Sequence, residues 1–187
     1  MKSTMTAQRG IWGVVLGVAL IALGTASQAQ QHPAMTSDAD YMAKVMTGAP
    51  ESIVKGATVV SMGPGNSMRT IQNGTNGFTC MLMPDGTPMC ADQNGMEWVH
   101  AYATHSSPPN KIGFMYMLAG DIGASNTDPF ASAQTSTNHW IKTGPHVMIL
   151  GPATKTMGYP RAADADPTKP YVMWADTPYE HVMIPVK

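Results

Sequence analysis

Apolar and polar positions in this chain switch period several times. From Ser37 onward, Ala39, Met42, Ala43 and Met46 recur at helical spacing behind Ser37-Asp38-Ala39-Asp40, an N-cap followed three positions on by an acidic residue. Gly48 supplies the stop. Pro50-Glu51 suits the first turn of a second short helix reaching about Lys55. A third helix is predicted where Asn94-Gly95-Met96-Glu97 resembles a capping box. There Trp98, Ala101, Tyr102 and His105 share one face, and Pro108-Pro109 ends the segment.

The rest reads as strands. Residues 58–62 and 68–72 flank Gly63-Pro64-Gly65-Asn66 as a hairpin, and 78–83 forms a third strand. Later candidates are 112–118, 140–142, 147–150, 171–174 and 182–186, while 119–138 is Gly/Ser/Asn/Thr-rich and irregular. Many strands with two or three helices, not regularly alternating, predict a single α+β domain with a mainly antiparallel sheet. One tetrapeptide occurs twice: His146-Val147-Met148-Ile149 and His181-Val182-Met183-Ile184. Nothing else aligns at that offset, so the copies read as similar strands of one sheet, not as a repeat array.

The first residues have a different texture. Lys2 and Arg9 precede an unbroken apolar or Gly run over 11–23, and small residues follow through Ser27-Gln28-Ala29. That is the pattern of a secretory signal peptide, 1–29, cleaved after Ala29. The run is too short to span a membrane, which needs roughly 20 apolar residues. The expected mature chain, 30–187, is then one exported domain, periplasmic or secreted, with no stable membrane insertion after cleavage.

Charge narrows the partners. Eleven Lys+Arg stand against 12 Asp+Glu, a net charge of −1. No basic excess exists to neutralise phosphates, which argues against a nucleic-acid partner. The partner is left as a small ligand or a metal.

The segments Thr75-Asn76-Gly77-Phe78-Thr79-Cys80, Ser125-Asn126-Thr127-Asp128-Pro129-Phe130, Thr143-Gly144-Pro145-His146-Val147-Met148-Ile149 and Pro170-Tyr171-Val172-Met173-Trp174 have distinctive wording. In them the chain resembles an uncharacterised family of small exported bacterial proteins, over most of its mature length. The likeness implies export and a single domain, and brings no activity, cofactor or substrate.

Candidate chemistry rests on sulfur and imidazole. Cys80 and Cys90 are the two cysteines; in an exported chain they are expected to form a disulfide around Pro84-Asp85-Gly86-Thr87-Pro88. The alternative is a thiol–thioether metal site with Met81, Met83 and Met89. The chain has seventeen methionines, but its histidines carry the sharper idea. On a strand, residues two apart share a face, so His146 pairs with Met148 and His181 with Met183. Imidazole and thioether together suit copper, particularly Cu(I). If the two strands are neighbours, the four ligands can converge, with Met81/Met83 and Met115/Met117 as further same-face pairs. The plainer explanation makes all of them core, since Met is an adaptable filler.

An enzyme reading is also open. G-x-S-x-G, H-E-x-x-H and S-x-x-K are absent. A small periplasmic hydrolase would have to assemble His146 or His181 with Asp128, and Ser125 as a nucleophile, from distant positions. Asp121 and Asp128 flank an oxygen-rich loop that could hold Ca²⁺, but its spacing is not that of an EF-hand and its residues are ordinary turn formers.

Overall fold

The structure, a computed structural model, describes residues 37–64 and 67–187. The expected leader, the polar segment before Ser37 and Gly65-Asn66 of the hairpin turn lie outside the described residues.

Two helices come first. α1 (Asp38–Val45) is capped by the Ser37 hydroxyl, which accepts from the Asp40 amide at 3.1 Å, and α2 (Glu51–Val54) follows Pro50. Then come β1 (Thr58–Met62), β2 (Met68–Gln72), β3 (Phe78–Leu82) and β4 (Pro88–Asp92). After α3 (Gln93–Ala103) follow β5 (Gly113–Met117), β6 (Ala124–Ser125), β7 (Trp140–Ile141), β8 (His146–Leu150), β9 (Tyr171–Met173) and β10 (His181–Pro185). Eight strands form one sheet in the order β2-β1-β3-β4-β5-β8-β10-β9, antiparallel except for β1 and β3; β6 and β7 make a small separate pair. The domain is α+β.

Two of these elements differ from the sequence reading. β4 has no counterpart in the sequence reading, because Pro88 opens it and its first four residues are all buried, leaving no alternation to detect. The cap of α3 is Asp92, whose Oδ1 accepts from Gly95 N at 2.7 Å. Asn94 donates instead to the Ile112 carbonyl, and Glu97 pairs with Lys111, so neither forms a capping box. The helix also ends earlier than expected, and His105 lies past it with a left-handed backbone.

The sheet buries both faces. On one, Val59, Cys80, Leu82 and Cys90 pack with Val45, Ala49 and Val54 from the helical N-terminal segment. Sulfur dominates the other, where Met81, Met89, Met115, Met148, Met173 and Met183 are each at most 7% exposed. α3 covers this methionine face closely: a Cβ on Gly113 of β5 would come within 2.6 Å of the Gly95 nitrogen. That approach seats Trp98 in the methionine cluster.

Tyr41 has an unusual place. Its hydroxyl donates to Val60 O at 2.8 Å and accepts from Leu82 N at 2.9 Å, bridging β1 and β3 just beyond their short parallel ladder.

Candidate metal centre

The two copies of the tetrapeptide lie in β8 and β10, which are neighbours in antiparallel register with Met148 opposite Met183. His146, Met148 and Leu150 are buried while Val147 and Ile149 are half-buried, so the His/Met side of β8 is the core side. Directly opposed residues share a face, which puts His181 and Met183 on that side too. On one flank, β5 sets Met117 opposite His146 and Met115 opposite Met148. On the other, β9 sets Met173 opposite His181 and Tyr171 opposite Met183.

An approximate twofold axis therefore runs between Met148 and Met183. Each half holds one imidazole, one thioether two residues along the same strand, and one thioether directly across. The four residues singled out in the sequence are thus on one face, but the register brings only Met148 and Met183 together. His181 stands opposite Leu150, four residues from His146 and roughly 13 Å along the strands. Met117 completes one half, and Met173 the other. Sequence reasoning missed Met173, because Tyr171-Val172-Met173 carries no histidine to draw attention to it.

The imidazoles are held alike. Nδ1 of His146 lies 2.7 Å from the Gly144 carbonyl, and Nδ1 of His181 lies 2.9 Å from that of Tyr179, two residues upstream in each case. A carbonyl only accepts, so each Nδ1 carries the proton and each Nε2 the lone pair. Metal-binding histidines are oriented in this way, the far nitrogen anchored to a carbonyl or carboxylate. Burial pushes both imidazoles below the usual histidine range, His181 to about 4, so both are neutral, the form that ligates metals. The Nε2 of His146 is buried without a hydrogen-bond partner. Such an atom in a native core calls for an explanation.

Surroundings distinguish the halves. Asp121 lies close enough to act electrostatically on His146, and burial raises its carboxyl above the usual aspartate range. Its Oδ1 accepts from Gly123 N and Thr143 N, fixing the loop before β6 and the approach to β8. His181 instead meets indoles. The ring centroids of Trp174 and Trp98 lie 4.9 and 5.4 Å from its own, both rings nearly perpendicular to it and within 5° of parallel to each other. Trp174 reaches this position through a left-handed backbone, φ 54°, an outlier for so bulky a residue. Its Nε1 donates to Ser125 O at 2.8 Å.

The other candidates resolve into structural roles. Cys80 and Cys90 are disulfide-bonded, S–S 2.04 Å, and belong to the face opposite Met81 and Met89, so no thiol–thioether site forms there. Asp128 Oδ1 accepts from the Phe130 amide, and the Ser125 hydroxyl, 2.6 Å from Asn138 O, accepts from the amides of Thr127 and Asp128. Neither imidazole hydrogen-bonds a carboxylate or a hydroxyl among the described residues. Nor do three His, Cys, Asp or Glu side chains gather as a metal site there, so any metal would depend on the thioethers. No helix among them is long and apolar enough to cross a membrane. Comparisons with protein-family models, curated proteins and solved structures find no match.

Proposed function

We propose that the protein is an exported module, periplasmic or secreted, that binds a soft monovalent metal, Cu(I), at His146 with Met117 and Met148. The observation that carries this reading is the unpartnered, fully buried Nε2 of His146, with Met117 opposite and Met148 two residues on. Neutral imidazole and thioether are soft enough to select Cu(I) over the harder divalent ions. The nearby Asp121 supplies negative charge to compensate the cation. Export is supported by the basic-apolar-small pattern of residues 1–29 and by the disulfide, a bond of oxidising compartments. A hydrolase built on His146 or His181 with Asp128 has no comparable support, since both Nδ1 atoms are committed to backbone carbonyls.

The test is an anaerobic titration of Cu(I) against a chromophoric chelator. The parent protein should withdraw the metal from the chelator. Met117→Leu with Met148→Leu keeps volume and should cost under about 1.5 kcal/mol per exchange. This variant should melt close to the parent yet surrender the metal at lower chelator concentration. No withdrawal by the parent, or an unchanged affinity in the folded double variant, overturns the assignment.

A further inference from the structure

The second tetrapeptide repeats the strand-level arrangement of the first in different surroundings, and those surroundings predict their own signal. We infer that His181, Met183 and Met173 form a second, separate site for a soft monovalent cation, walled by Trp98 and Trp174, so that one chain takes two ions. The inference rests on the soft-metal reading of this His/Met face, but on residues separate from those of the His146 half.

Three observations carry it. His181 repeats three features of His146: Nδ1 anchored to the carbonyl two residues upstream, a methionine two residues on, and a methionine directly opposite on the outer strand; the orphaned buried Nε2 belongs to His146. The two histidines leave the backbone roughly 13 Å apart along the strands; their imidazoles act on each other electrostatically, but each has its own methionine directly opposite, so the register describes two half-sites. The remaining observation concerns charge. Glu180 acts electrostatically on His181 as Asp121 does on His146, but Arg161 binds Glu180 bidentately and already balances its charge. In its place stand two indoles with centroids 4.9 and 5.4 Å from the imidazole. Aromatic faces attract a desolvated cation over distances up to about 6 Å, which compensates charge without a carboxylate. The backbone outlier at Trp174 is what holds one of these rings there.

Ag(I) is a redox-silent stand-in for Cu(I), and native mass spectrometry with tryptophan fluorescence reads both quantities needed. The parent should bind two silver ions and lose indole emission in step with one of them. Met173→Leu with Met183→Leu should hold a single ion and lose the quenching. Removing even an outer-shell partner of a metal ligand costs about 10–100-fold in affinity, so the loss of two sulfurs should be at least as large. Met117→Leu with Met148→Leu should also hold one ion, but keep the quenching. Circular dichroism confirms that each variant is folded before it is scored. One ion in the parent, removed by either variant, would mean a single shared centre and overturn the inference. So would two ions whose binding and emission ignore Met173 and Met183. Quenching that survives in the parent while the Met117/Met148 variant matches it in stoichiometry would sink the His146 assignment and leave this second site standing.

Discussion

The hydroxyl of Tyr41 satisfies two backbone groups that β1 and β3 do not satisfy for each other, the Val60 carbonyl and the Leu82 amide. Tyr41→Phe removes both bonds and leaves both groups partly buried, at about 1–3 kcal/mol for each group left unmet. Chemical denaturation should show a loss of roughly 2 kcal/mol or more; a neutral result would mean that water replaces the hydroxyl. Glu180 is a second single residue with a large effect. It is 4% exposed and takes both oxygens to Arg161, one also to the Asp176 amide. Arg161 holds its carboxyl below the usual glutamate range. A lowered value means stability that is present above the ordinary carboxylate range and lost as pH falls through the folded-state value. Because Arg161 is partly exposed and stays solvated, Glu180→Gln should cost about 1.5–3 kcal/mol at neutral pH, and the gap to the parent should close in acid. A gap that stays constant down to acid pH would refute the ion-pair account. Neither role was legible in the sequence. Tyr41 shows there only as a helix residue and Glu180 as one more acid, since Tyr41 acts through partners 19 and 41 positions away and Glu180 chiefly through Arg161, 19 positions away.

Among the elements, legibility followed exposure. α1 and the β1–β2 hairpin are amphipathic or turn-bounded, and their limits could be read from Ser37, Gly48 and Gly63-Pro64. β4 could not, because a strand buried on both faces has no period, and Pro88 reads as a turn signal. Yet Cys90 was a usable clue, since its bond to Cys80 requires that two extended segments lie side by side. The structure pairs those two residues directly across β3 and β4. Replacing both cysteines with Ala removes a constraint on an eleven-residue loop, worth roughly 2.5–3 kcal/mol by loop entropy. Thermal unfolding of that variant should fall accordingly, and thiol counting on the denatured parent should find no free sulfhydryl. The repeated tetrapeptide was similarly half-legible. Its alternation gave the face, while the antiparallel register that parts His146 from His181 depends on the 30-residue path between the strands, which local pattern does not encode.

For the whole molecule, the sheet sorts its sulfur by chemistry. The oxidised pair Cys80–Cys90 belongs to one face and the sheet's own buried thioethers to the other, while Met42 and Met46 of the helical segment pack on the disulfide side. Exposure then predicts their fate. Met68 at 61% and Met62 at 37% should be converted to sulfoxide by dilute peroxide well before Met89 at 0% or Met183 at 2%, as peptide mapping by mass spectrometry would show. Equal rates would mean that the buried layer opens readily. Most of this sheet is long-range: β5 waits for β8 and β8 for β10, pairings that slow folding relative to local contacts. Until those strands close, every methionine is as open to oxidants as Met68. A sulfoxide is polar, and a core of methionine and tryptophan has nothing to bond it. A chain damaged while still open would thus be unable to finish. The completed sheet certifies intact sulfur, and the interval between synthesis and closure becomes the period in which a copy is kept or lost.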